Sequence, residues 1–186
     1  MKTWIVAFAA AAATLASAST SIASTTVIGS SAASECSNAA EDGRSDNQAV
    51  RLCETALADE TLSTRDMAKT LINHGVMMMR QQRWELALAD LDRSIAMQAD
   101  KFEAYVNRGA VMIGLRRYRE GLDMINRGLQ LGIDDPAKAY YNRALAHEGL
   151  ENARDAYLDY QQARTLSPNW ELPQRQLARF TVRRAE

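Results

Sequence analysis

Chain-breaking residues are scarce, with 3 prolines and 9 glycines among 186 residues. Alanine, leucine, arginine, glutamate and glutamine dominate the second half instead, and these residues favour helix. Only two histidines occur, His74 and His147. No His, Cys and Asp cluster has metal-ligand spacing. No glycine-rich loop could cradle a phosphate, and no serine motif is set for nucleophilic attack. No catalytic residue, metal site or cofactor is therefore expected. An excess of one charge is also lacking: 22 basic residues face 23 acidic ones, a net charge of -1. That balance gives no reason to expect nucleic acid or an acidic membrane as partner.

The apolar run from Ile5 to Leu15 is eleven residues long, too short to span a bilayer. Lys2 precedes it and Ala16-Ser17-Ala18 follows it, the build of a secretory signal peptide over residues 1–18. Cleavage is expected after Ala18, or else after Ala23, with no stable membrane insertion afterwards. Residues 17–34 are Ser or Thr at ten of eighteen positions, so residues 19–40 read as a flexible linker. Export also governs the two cysteines. An oxidising compartment favours a disulfide between Cys36 and Cys53, and closing a loop of that size contributes roughly 3 kcal/mol in the chain-entropy account. The alternative is a redox-active dithiol, although sixteen intervening residues is not the Cys-x-x-Cys spacing that tunes a thiol for exchange.

The main signal is internal repetition. Asn73-His74-Gly75 recurs as Asn107-Arg108-Gly109 at a spacing of thirty-four. It recurs again as Asn142-Arg143-Ala144 at thirty-five, the extra residue falling in the Asp134-Asp135-Pro136 turn. In the same register follow Trp84, Tyr118 and Ala153, then Ala87, Gly121 and Ala156, then Leu91, Ile125 and Tyr160, then Ser94, Gly128 and Ala163. Leu71, Tyr105 and Tyr140 stand near the start of each unit.

This pattern resembles the tetratricopeptide-repeat family, whose period is about 34 residues. The resemblance covers Met67 to Asn169 and implies an all-α fold, a right-handed α-solenoid of stacked antiparallel helix pairs, with units at 67–100, 101–135 and 136–169. Short side chains at Gly75 with Ala87, Gly109 with Gly121, and Ala144 with Ala156 are what let two antiparallel helices approach closely. Residues 41–66 read as a partial preceding repeat, with a second-type helix over Asn47–Ala58 and a turn over Glu60–Asp66. Residues 170–186 read as a capping helix that Pro173 can start, with Leu172, Leu177 and Phe180 covering the last unit. A cysteine before the first helix and another inside it resembles small exported repeat proteins of Gram-negative bacteria, which points to the periplasm or to secretion.

In the family, the first helix of each pair lines a concave face. Carried over residue by residue, that face comprises Lys69, Ile72, Asn73, Val76 and Met79, then Glu103, Val106, Asn107, Ala110 and Ile113, then Lys138, Tyr141, Asn142, Leu145 and Glu148. An Asn amide both donates and accepts, so the three asparagines could hold a peptide backbone whatever its side chains. They could equally fix neighbouring helices or face water. Lys138 and Asn107 match two places of a carboxylate-binding set, while Ile72, Val76 and Asn142 depart from it. The expected function is non-enzymatic capture of an extended polypeptide as adaptor or assembly factor. The alternative is a structural repeat protein that forms homo-oligomers through its helix faces. His147 is expected between helices and His74 on a solvated face, with Arg108 and Arg143 pairing to Asp90 and Asp159. Met78 is expected in the core and Met79 in the groove, with Met77 incidental.

Overall fold

Three helices open on an N-cap residue whose side chain accepts a backbone N–H bond. The computed structural model describes residues 31–59 and 61–180, so the expected signal peptide lies outside the described residues. Ser31 accepts from Ser34 N at the head of α1 (Ala32–Glu41). Asp46 accepts from Gln48 N and Ala49 N at the head of α2 (Asn47–Leu57). The Arg44 guanidinium beside it and the Ala49 N–H hold the Asp46 carboxyl down at about 2. Ser63 caps α3 (Thr64–Arg80) by accepting from Asp66 N. Each such bond satisfies a donor that the first helical turn leaves free.

Four helices stop in one shared way. α1, α3, α5 (Phe102–Gly114) and α7 (Ala137–Gly149) are each followed by a left-handed residue: Gly43, Gln82, Arg116 and Glu151, with φ of 77, 59, 60 and 62°. The next N–H, from Arg44, Arg83, Arg117 or Asn152, reaches back to the carbonyl of Ala39, Met78, Met112 or His147. That is the Schellman closure. Each helix then packs antiparallel on its successor, which is α2, α4 (Trp84–Met97), α6 (Tyr118–Gln130) or α8 (Ala153–Leu166), and neighbouring pairs stack. α9 (Glu171–Leu177) packs on α8. Among the described residues the fold is all-α: an α-solenoid of four helix pairs and a C-terminal helix.

The core repeats one contact. Seven residues before each left-handed residue stand Cys36, Gly75, Gly109 and Ala144. A Cβ on Gly75 would lie 3.2 Å from Leu91 Cγ, and one on Gly109 only 2.6 Å from Ile125 Cγ1. Ala144 shares a core cluster with Tyr160. In the first pair the same place is taken by a covalent bond, Cys36 to Cys53 with Sγ–Sγ 2.11 Å. The disulfide therefore stands where the other pairs press a small residue against a large one.

This overturns one expectation. Ala32–Glu41 is helical, although residues up to 40 read as flexible linker, and the first pair is a whole helix hairpin rather than a partial repeat beginning at 41. The reason is non-local. Cys36, Ala39 and Ala40 are buried against α2 and α3, and their short side chains suit close packing as well as a tether. α3 also begins at Thr64, inside the expected Glu60–Asp66 turn.

Candidate functional site

The candidate groove is built from α3, α5 and α7, whose equivalent faces recur once per pair. Lys69, Glu103 and Lys138 are exposed, while Asn73, Val76, Met79, Asn107, Ala110, Ile113, Asn142 and Leu145 are half-buried. Two expected groove residues are core instead. Ile72 is 7% exposed and packs with Cys36, Ala39 and Cys53 of the first pair. Val106 is 8% exposed and shares a cluster with Ile125 and Ala139. The stacking of consecutive pairs takes this row out of solvent.

At the third unit the terminal segment shares the groove face. The Tyr141 ring lies 4.8 Å from Trp170 and 5.4 Å from Tyr160, centroid to centroid. Its hydroxyl accepts from Gln176 at 3.4 Å. Leu145, Leu177 and Phe180 all pack against the buried cluster of Ala144, Ala156 and Tyr160. Glu148 accepts from the Tyr160 hydroxyl at 3.1 Å and pairs with Arg179 at 3.3 Å. Burial, reinforced by the Glu148 carboxylate, pushes the Tyr160 phenol up from its ordinary value. Leu177 and Phe180 cover the last unit as expected, whereas Leu172 stays 42% exposed.

The asparagine row is left open. Among the described residues, no partner is recorded for the side chains of Asn73, Asn107 or Asn142. Asn73 Nδ2 is moreover shielded from solvent with no acceptor. A buried donor without a partner costs about 1–3 kcal/mol, a cost that turning the Asn73 amide outward onto an incoming acceptor would relieve. Beside this row run the apolar side chains of Val76, Met79, Ala110, Ile113 and Leu145.

The next residue of each unit ties the stack together. Arg143 donates to both Asp159 oxygens at 2.7 Å and reaches back to Asn126 at 3.0 Å. The Asp159 bond raises the Arg143 pKa. Arg108 pairs backwards only, with Asp92 at 2.6 Å, because Met124 fills the forward place. His74 is not on a solvated face. Its Nδ1 sits 2.6 Å from Asp90 Oδ2, with the two side chains 13% and 12% exposed. Asp90 is thus the partner of His74 rather than of Arg108. The signal was present: His74 and Asp90 have the same separation of 16 as Arg143 and Asp159. His147 lies between helices as expected, with Nε2 3.9 Å from Asp159 Oδ2. Met77 is not incidental, being fully buried with Sδ 3.7 Å from Cys53 Sγ.

Among the described residues no three His, Cys, Asp or Glu side chains are grouped to hold a metal ion. No described helix is long and apolar enough to cross a membrane.

No family model matches the chain. It is 28% identical over 101 residues to human sperm-associated antigen 1, a match covering 54% of this chain and 11% of that protein. The rat protein of the same name is 25% identical over 109 residues, covering 59% and 12%. The chain thus matches about a tenth of the length of these relatives. Among solved structures, MamA from Desulfovibrio magneticus RS-1 superposes with TM-score 0.60 at 20% identity, covering 80% of this chain and 82% of that one. The Arabidopsis OM64 TPR domain gives 0.58 at 19%, covering 63% and 96%. The first TPR domain of Spaghetti (RPAP3), solved with the HSP90 peptide SRMEEVD, gives 0.57 at 19%, covering 64% and 94%. Helix pairing, turn geometry and these superpositions together give the chain a tetratricopeptide-repeat fold.

Proposed function

We propose that the chain is a non-enzymatic module that binds an extended polypeptide along α3, α5 and α7, acting as adaptor or assembly factor in the cell envelope. One observation carries the reading. Asn73, Asn107 and Asn142 recur at repeat spacing, no side-chain partner is present for any of them among the described residues, and the Asn73 Nδ2 is shielded and unpartnered. Amides so placed can pair with a peptide backbone independently of its sequence. At about 1 kcal/mol net per bond, three rungs supply a few kcal/mol. Micromolar binding needs about 8, and Val76, Met79, Ala110, Ile113 and Leu145 offer apolar contact for the remainder. Support by analogy comes from the RPAP3 domain that was solved with an HSP90 peptide. Placement outside the cytoplasm rests on the signal-like start of the sequence and on the Cys36–Cys53 bond.

The test replaces Asn73, Asn107 and Asn142 with alanine together and follows photo-cross-linking from groove positions in living cells. Loss of the cross-linked partner with unchanged helix content is the expected result. Undiminished cross-linking would remove the groove reading. Sequencing the N-terminus of the mature protein checks export, which predicts a start at Ser19 or Ser24.

A further inference from the structure

The second helices of the last three pairs begin at an equivalent place, with Trp84 on α4, Tyr118 on α6 and Ala153 on α8. The two aromatic rings do the same job. A Cβ on Gly114, the last residue of α5, would lie 2.9 Å from Trp84 Cη2, and one on Gly149, the last residue of α7, would collide with the Tyr118 ring. Each ring therefore lies flat on the glycine that ends the next pair's first helix. The last pair breaks this pattern. Ala153 has no ring to offer, and α9 ends at Leu177. Among the described residues a hollow remains, bounded by Glu148, Glu151, Ala153, Arg179 and Phe180.

We infer that this hollow receives an aromatic side chain of the bound polypeptide, one with a basic residue beside it. The inference rests on the groove reading above, since Glu148 belongs to the same row as Met79 and Ile113 and carries that row to the hollow. The fold itself shows what fits: twice along the stack, the position equivalent to Ala153 carries an indole or phenol ring. Ala153 contributes only a methyl to the lining of the hollow. One wall is the Phe180 ring, held 5.7 Å from Tyr157 and 6.1 Å from Tyr160, at distances that suit tilted aromatic packing. The rim sets the charge preference. Arg179 is spoken for by Glu148 and Gln176, whereas the exposed Glu151 carboxylate has no recorded partner among the described residues. A cation next to the inserted ring meets that carboxylate.

The probe is N-acetyl-Arg-Trp-amide, titrated into the isotope-labelled full chain and followed by amide chemical shifts. Shifts should centre on Glu151, Ala153 and Phe180. N-acetyl-Arg-Ala-amide should bind about tenfold more weakly, the loss expected when one ring contact is removed. Ala153→Trp fills the hollow and should abolish the shifts, and Glu151→Lys should weaken them several-fold, both with unchanged helix content. Equal shifts from the two probes, or shifts that survive Ala153→Trp, would overturn the inference. So would shifts that occur only after Thr181–Glu186 is deleted, because the chain's own end would then be the occupant. The Asn73, Asn107 and Asn142 triple variant separates the two proposals. It should keep the Arg-Trp shifts while losing the long partner, so either reading can fail alone.

Discussion

The two ends of the stack are closed by different physics. At the N-terminal end, small residues pack around a disulfide: Cys36, Cys53, Ala39 and Ala49 are buried, with Met77 beneath Cys53. Arg80 and Gln81 add bonds to the carbonyls of Ala40, Arg44 and Ser45. At the C-terminal end there is no covalent tie. Tyr141, Tyr157, Tyr160, Trp170 and Phe180 instead form a chain of tilted ring contacts. One end holds by connectivity and the other by apolar area. A short α1–α2 hairpin rich in alanine has little area to bury, so a cross-link that narrows the unfolded ensemble compensates.

The sharpest way to break this contrast is to remove the disulfide. Cys36→Ser with Cys53→Ser should cost about 3 kcal/mol, and the loss should be local. Hydrogen exchange should speed up across Ala32–Leu57 and stay unchanged across α7 and α8, since stacked repeats open in segments. Uniform acceleration along the chain would mean that the first pair is not a separable closure.

The matching change at the other end is Phe180→Ala. The ring is only half-buried, so the cost should fall below that of a core phenylalanine, at about 2 kcal/mol. α9 should fray while α1 and α2 keep their protection. A loss that reached the disulfide end would show the two closures to be coupled.

How much of this was legible beforehand follows from which contacts are local in sequence. Gly75, Gly109 and Ala144 recur at fixed spacing because each pair needs a close approach at the same place, so the sequence alone discloses the three central pairs. α1 escaped because Ser-Ala-rich sequence suits a tether and a tightly packed helix alike. What decides between them is burial of Cys36 and Ala39 against α2 and α3, which no short window contains. Ile72 and Val106 sit at groove places by repeat position, yet the stacking of adjacent pairs buries both. His74 was misplaced for a simpler reason. Its equivalents are arginines, and the shared 16-residue step to an aspartate, not the residue type, fixes its surroundings.

Acid should separate the ends further. The Asp46 carboxyl titrates at about 2 in the fold, below its ordinary 3.8, chiefly through Arg44 and then through the Ala49 N–H. A depressed carboxyl contributes stability that is present above 3.8 and is lost as pH falls through about 2. The head of α2 should therefore loosen between those values, read as faster amide exchange at Gln48 and Ala49. Asp46→Asn keeps an acceptor for those N–H groups but cannot titrate, and should flatten that acid-dependent step. A step that persists in this variant would place its origin elsewhere.

The smallest effect concerns the four left-handed turn residues. Only the first pair uses glycine there; the later pairs force Gln82, Arg116 and Glu151 into the same conformation. Side chains pay about 1–2 kcal/mol at such φ values, while glycine loses roughly 0.5–1 kcal/mol more backbone entropy on folding than alanine does. Those terms nearly offset, so Gln82→Gly or Arg116→Gly should stabilise by about 0.5 kcal/mol, visible as a small rise in the denaturation midpoint. No atom lies within 4 Å of a Cβ built on Gly43, so Gly43→Ala meets no clash and should lose about 1 kcal/mol from φ alone. If Gln82→Gly destabilised and Gly43→Ala did not, the turns would not share one energetic basis, and the first hairpin would resemble the later pairs in shape but not in cause.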